Sequence, residues 1–229
     1  MHMSDGLVNL PTAAMFGVVA AIGLALAVTR ARRDLDDRTA PMAGLVTAFV
    51  FAVQMINFPI LPGASGHLLG GALVAILVGP WVGALCIAVV LAVQALLFAD
   101  GGLTTLGANI TNMALISVFV GYGVAVALRR LARRSRAGLV TTAFVAALVG
   151  TVGASLGFVL EYAIGGAAGA SLSTVFALMT GLHALIGIGE GVITAATVGA
   201  VAAIRPDLVH LLRGTEAPLQ LRAAGGAGA

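Results

Sequence analysis

Charge is what this chain lacks most. Asp, Glu, Lys and Arg together make up 9% of its 229 residues, against about 25% in soluble domains. A soluble fold of this size has to cover its surface with polar groups, so the shortage excludes one and makes lipid the solvent for most of the chain. Cysteine is nearly missing too. Cys86 stands alone inside an apolar run, which excludes an internal disulfide and leaves it the role of a small buried hydrophobe. Aromatic residues reach only 5%. There is no strand-like alternation of the kind a membrane barrel needs, no G-x-x-x-x-G-K-[ST] loop to hold a nucleotide, and no nucleophile paired with a base. The chain is therefore not expected to be an enzyme, and any ATP hydrolysis that drives it must come from elsewhere.

What is present is apolar and small. Hydrophobic residues make up 60% of the chain and 31 residues are glycine; mean hydropathy is +1.09. Small residues at this density suit helices that pack closely in a bilayer. Breaks at charge, Gly and Pro divide the chain into about seven spans: 12–28, 42–58, a short 67–78, 80–99, 108–128, 139–164 and 172–204. The last is too long for one untilted crossing, so its first part should lie outside the hydrocarbon core. The expectation is an all-α, polytopic integral membrane protein with about seven transmembrane helices. Residues 1–205 form a single transmembrane domain, and 206–229, ending in AAGGAGA, form a short disordered tail.

All twelve basic residues are arginine, and their positions set an orientation. Arg30, Arg32, Arg33 and Arg38 follow the first span. Arg129, Arg130, Arg133, Arg134 and Arg136 follow the fifth, and Arg205, Arg213 and Arg222 the seventh. No even-numbered span ends in one, and the third ends in a tight Gly79-Pro80 turn. By the positive-inside rule the N-terminus lies outside and the C-terminus in the cytoplasm. The high isoelectric point then reports orientation rather than nucleic-acid binding.

Two outward-facing features could bind a metal. The chain opens MHMSDG. The Met1 amine, the His2 amide nitrogen and His2 Nδ1 can close fused chelate rings on one ion, once the amide loses its proton. Such tetragonal nitrogen coordination favours Ni²⁺ or Cu²⁺ and suits Co²⁺, and disfavours the oxygen-seeking Ca²⁺ and Mg²⁺. The plainer alternative is a frayed terminal histidine. The second feature is NFPILPGASGH, residues 57–67. Its prolines and glycines forbid a continuing helix, and in lipid such backbone survives only when buried in protein or lining a cavity. Ser65 can cap the following helix, with His67 in the first turn of that helix. His67 is either an interfacial residue or a fourth nitrogen for the same ion.

MHMSDG, PGASGHLLGGALVAILVGPWVGAL, VQALLFADGGLTTLGANITNM and HALIGIGEG resemble the CbiM/NikM family, the substrate-binding (S) components of energy-coupling-factor ABC transporters for cobalt and nickel. The resemblance spans roughly residues 1–200 and is most specific over 63–113. It implies a helical fold with the N-terminus threaded into the protein, and Met1, His2 and His67 as ligands of transported Co²⁺ or Ni²⁺, with no permanent cofactor. It implies as partners a coupling transmembrane component, two ATPase subunits and a small auxiliary membrane subunit, which some nickel members carry fused; no such segment is seen here. Met3 stands where the family often has a β-branched residue, and Asp5 keeps an acid at the fifth position. Neither change removes a ligand.

Other polar residues have two readings each. In FADGGLTTLGANITN, Asp100 could attract cations or tie down the N-terminal segment, and Thr104, Thr105, Asn109 and Asn112 could support the ligands from behind or simply form turns and caps. Gln94 and Asn112, inside apolar spans, suit interhelical hydrogen bonds. His183 and Glu190 share one helical face and could be a second metal station, a proton relay or a packing pair. A relay would make the protein a stand-alone secondary carrier instead of an S component. Glu161 reads as interfacial and His210 as solvated. Gly17, Ala21 and Ala25, like Gly187 and Gly191, form stripes for internal packing or for docking a membrane partner.

Overall fold

Local chemistry starts and stops the helices. In the computed structural model, which describes residues 1–213 except Arg38, Asn9 Oδ1 accepts from Thr12 N–H at 3.0 Å and begins α1 (Leu10–Ala31), with Pro11 in its first turn where no N–H is needed. Helix α2 (Thr39–Gln54) leads to a hairpin of β1 (Phe58–Leu61) and β2 (Ala64–Gly66). Helices α3 (Gly71–Val78) and α4 (Pro80–Leu97) meet at Gly79, whose φ of 92° requires glycine. One helical stretch then comprises α5 (Leu106–Ile110), a π turn (Thr111–Ile116) and α6 (Ser117–Ala127). Short α7 (Arg129–Arg134) precedes the long α8 (Arg136–Gly165) and α9 (Leu172–Ile204), which Ser135 and Ser171 cap.

The packing inverts that of a soluble protein. Val18, Ile22 and Leu26 of α1, Leu156 and Leu160 of α8 and Val192 of α9 face outward, whereas Ala143, Ala146, Ala147 and Ala154 of α8 are buried. In water so large an apolar surface would drive association; in a bilayer it is solvated, and small inner residues let helices touch. The protein is a multi-pass membrane protein. Among the described residues, five helices are long and apolar enough to cross a bilayer (Leu10–Ala31, Pro80–Leu97, Leu106–Ala127, Arg136–Gly165 and Leu172–Ile204) and Thr39–Gln54 is shorter.

The third span is not a crossing helix. Only Gly71–Val78 is helical, a rise of about 12 Å against a hydrocarbon core of about 30 Å, and every residue of it is buried. Gly70 precedes it at φ 80°, and a side chain there would press on Val50. His67 consequently sits in non-helical backbone ahead of α3 rather than in its first turn. Ser65 lies in β2 and caps nothing.

Three other expectations change. Glu161 is buried, 1% exposed, rather than interfacial, because Asn112 Nδ2 donates to its Oε2 at 2.7 Å from the neighbouring π turn. His210 is half-buried, with its ring against Gly79 and 6.0 Å from that of Tyr122. Residues 206–213 are ordered as two 3₁₀ turns: Val209 and Leu211 are buried, and Arg129 donates to Leu211 O and Arg213 O. The rest of the expected tail, 214–229, lies outside the described residues.

The two small-residue stripes differ: Gly187 and Gly191 pack on Leu148 and Phe144 of α8, whereas Ala21 and Ala25 are exposed and only Gly17 of the first stripe meets a neighbour, Gly107. A Cβ on Gly191 would stand 2.6 Å from Phe144 Cδ2 on α8, and one on Gly107 would collide with the backbone of Gly17 on α1. A Cβ on Gly123 meets nothing. Gly107→Ala should therefore destabilise the purified protein by about 1–3 kcal/mol through overpacking, read as a lower Tm in detergent, while Gly123→Ala leaves Tm unchanged or slightly raised.

Candidate metal centre

The first residues of the chain are woven into the fold. His2 C=O accepts from Ser65 N–H at 3.2 Å and Ser4 N–H donates to Gly63 O at 2.9 Å, so residues 2–4 lie as an extra strand along the β1–β2 hairpin. On the other side, the Met3 carbonyl accepts from Gly102 N–H (2.8 Å), Thr105 Oγ1 (2.7 Å) and Asn109 Nδ2 (3.1 Å), and Asn109 Oδ1 accepts from Met3 N–H (2.8 Å). Asn9 N–H donates to Gly165 O at 2.7 Å and Ala167 N–H to Leu7 O at 2.9 Å, closing the segment against the end of α8. Met1 is 0% exposed, His2 3% and Met3 0%.

This burial governs the chemistry of the terminus. Desolvation pushes the Met1 amine well below its ordinary pKa, and it pushes His2 down to about 2. Both groups are held as neutral bases with a free lone pair. The His2 and His67 rings lie 4.6 Å apart between centroids. His67 Nδ1–H donates to Leu68 O at 2.9 Å, which leaves Nε2 as the bare nitrogen, buried and without a hydrogen-bond partner. His2 Nε2 stands 3.5 Å from Asp100 Oδ2. That is ion-pair range but too long for a full hydrogen bond. A carboxylate on this side favours the proton on Nε2 and the lone pair on Nδ1. The His2 amide N–H donates to Ser65 Oγ at a long 3.3 Å, so little hydrogen bonding is lost when a metal displaces its proton.

The remaining predicted residues divide by role. Asp5 is a clasp: it accepts from Thr104 N–H (2.8 Å) and Thr104 Oγ1 (2.6 Å), which hold its carboxyl below the usual aspartate range. Thr105 and Asn109 grip Met3, next to the ligand-bearing residues. Asp100 accepts from Asn57 Nδ2 at 2.6 Å, and burial raises its carboxyl pKa. Asn112 pairs with Glu161 and does not reach the terminus. His183 Nδ1–H donates to Met179 O at 2.7 Å on its own helix, with Nε2 buried and unpartnered. Both oxygens of Glu190 accept backbone N–H groups, from Leu69 and Gly70. Gln94 is buried, with Nε2 4.0 Å from Met55 Sδ.

Two residues escaped sequence reasoning. Gln54 Nε2 donates to Leu69 O at 2.6 Å; its signal was a lone amide side chain within an apolar span. Gly101, at φ 88°, leaves room for the His2 ring, since a Cβ there would lie 2.9 Å from Nδ1. His2, Ser4, Asn57, Ser65 and Asp100 line an open cavity of about 270 Å³. Among the described residues no three His, Cys, Asp or Glu side chains converge as a metal cluster. Two of the nitrogens gathered here, the amine and the amide, belong to the main chain.

The chain is thus a multi-pass helical membrane protein with nitrogen-bearing groups buried at its own terminus. The chain matches the family model described as the cobalt uptake substrate-specific transmembrane region over residues 2–208, and it belongs to that family, CbiM. It is 42% identical over 210 residues to a putative fused nickel transport protein of Archaeoglobus fulgidus, covering 92% of this chain and 68% of that protein. It is 33% identical over 223 residues to a cobalt transport protein of Sorangium cellulosum, covering 93% and 96%. A crystal structure of a truncated transition metal transporter superimposes with a TM-score of 0.82 at 30% identity, covering 89% of this chain and 99% of that one. These relatives are named as transport proteins, not enzymes.

Acid should undock the terminus. The folded pKa values of the amine and His2 lie below their unfolded ones, so only the undocked segment takes up protons as pH falls. Docking is fully stable above the ordinary values of about 8 and 6.5 and weakens below them. Hydrogen exchange at Ser4 and Asn9, corrected for intrinsic rate, should accelerate as pH falls through this window and stay flat above it.

Proposed function

We propose that this protein captures Co²⁺ or Ni²⁺ as its transported substrate, on four nitrogens: the Met1 amine, the His2 amide, His2 Nδ1 and His67 Nε2. The observation that carries this reading is the fully buried terminus beside two imidazoles, one of which presents an unpartnered Nε2. The set matches the tetragonal preference of these late first-row ions. It requires removal of the initiator formyl group, because a formylated nitrogen is no longer an amine. Asp100, at the mouth of the cavity, draws the cation in and steadies the His2 ring. Asp5, Thr104, Thr105 and Asn109 hold the strand that presents the ligands.

Within this reading the chain is the substrate-specific component of an ATP-driven energy-coupling-factor transporter. It works with a coupling transmembrane component, two ATPase subunits and a small auxiliary membrane subunit, with the terminus outside and the arginine-rich end in the cytoplasm. The docked N-terminal strand presents the ligands, and metal binding adds to the hold on it. ATP-driven reorientation exposes the site to the cytoplasm, and the planar geometry breaks to release the ion. A stand-alone carrier with a His183–Glu190 proton path is less well supported, because both Glu190 oxygens are engaged by backbone N–H groups.

Calorimetry with Ni²⁺ and Co²⁺ tests the site. Protein with a free terminus should bind tightly; protein that retains its formyl group, and His67→Ala, should each lose at least about 100-fold in affinity, in line with removal of a buried ligand. Binding that survives formylation moves the site away from the terminus. In liposomes the isolated subunit should not accumulate metal without its ATPase partners; accumulation driven by a proton gradient alone would favour the carrier.

A further inference from the structure

We propose that Glu190 is a positioning residue for metal capture, acting on His67 through the peptide unit between Leu68 and Leu69. The inference rests on the reading of His67 Nε2 as the fourth nitrogen. Glu190 Oε2 accepts the Leu69 N–H at 2.7 Å. The carbonyl of that same peptide unit, Leu68 O, accepts His67 Nδ1–H at 2.9 Å. The carboxylate, the peptide and the imidazole therefore form one hydrogen-bonded line that ends in the bare Nε2. Hydrogen bonds in such a line polarise one another, so the peptide carbonyl becomes a stronger acceptor for Nδ1–H. The result is a fixed tautomer, a fixed ring plane and a more basic Nε2, which a carboxylate bonded directly to a metal-binding histidine provides elsewhere.

The neighbouring peptide unit shows how firmly the line is anchored. Glu190 Oε1 accepts the Gly70 N–H at 2.9 Å, and Gln54 Nε2 donates to Leu69 O at 2.6 Å, so α9 and α2 hold that unit from opposite ends. Glu190 is 3% exposed, Gln54 and Leu69 0%. Non-helical backbone at membrane depth needs protein partners for its polar groups, and a neutral amide at position 54 would suffice on the acceptor side. The carboxyl on the donor side takes both N–H groups at once, one oxygen to each, and so fixes the peptide at the far end of the His67 line. It also makes the position of His67 depend on α9: a shift of that helix draws the fourth nitrogen out of the plane.

The test is Ni²⁺ titration of the full detergent-purified chain, read by calorimetry and by the d–d absorption spectrum. Glu190→Gln keeps the side-chain shape but presents an N–H₂ to one of the two donors. It should weaken Ni²⁺ binding about 10–100-fold and shift the absorption band to the position that His67→Ala produces. In a His67→Ala background the same change should weaken binding no further. Should Glu190→Gln not fold, Glu190→Asp keeps the carboxyl on a stem that no longer reaches both N–H groups, and a smaller loss, again only when His67 is present, is expected. Unaltered affinity and spectrum in either folded variant, or equal losses with and without His67, would overturn the proposal. Wild-type binding that ignores His67→Ala would remove the four-nitrogen reading itself, and this inference with it.

Discussion

An amine buried in the middle of a protein has to be uncharged, and keeping it there is the demand that the surrounding structure meets. A chain end is normally charged, solvated and mobile. Here it is 0% exposed at Met1, and the cost of desolvating it is offset by a ladder of backbone hydrogen bonds on both sides of residues 2–9. The hairpin, the 99–105 loop and the end of α8 all contribute partners. Take away the docked strand and the terminus regains its charge and water, and the imidazoles lose their neighbour.

The second demand comes from lipid. The loop that carries His67 descends into the bundle without helical hydrogen bonds, and water is not there to satisfy it. Gln54 and Glu190 do so instead, from helices that are otherwise apolar. Polar side chains in the bilayer are costly, and these two are placed where irregular backbone needs them. The same contacts connect the loop that carries His67 to α9, the longest helix.

Much of this was legible in the sequence because membrane solvation leaves a coarse signal. The shortage of charge and the apolar spans gave the helical class. His2 and His67 stood out as candidates because the topology puts both on one membrane face, but each had an ordinary structural reading, and the ligand set of Met1, His2 and His67 came with the family resemblance. What hid was depth and direction. The apolar run 67–78 reads as one span, since hydropathy does not distinguish buried extended backbone from helix, and the Gly70 conformation that delays α3 has no hydropathy signature. Glu161 looked interfacial because its partner, Asn112, sits 49 positions away on another helix. Gln54 went unread because its partner, Leu69 O, lies on another segment. Asn109 was singled out for its type, but its two-point hold on Met3 is a long-range contact that spacing does not reveal.

The central claim is that the chain's own terminus supplies metal ligands, and X-ray absorption on the Ni²⁺-loaded protein addresses it most directly. The account predicts a four-coordinate planar site with nitrogen donors throughout, with the pre-edge feature of planar Ni²⁺ lost when the terminus keeps its formyl group. A six-coordinate, oxygen-rich spectrum, or a planar one indifferent to the formyl group, would contradict it.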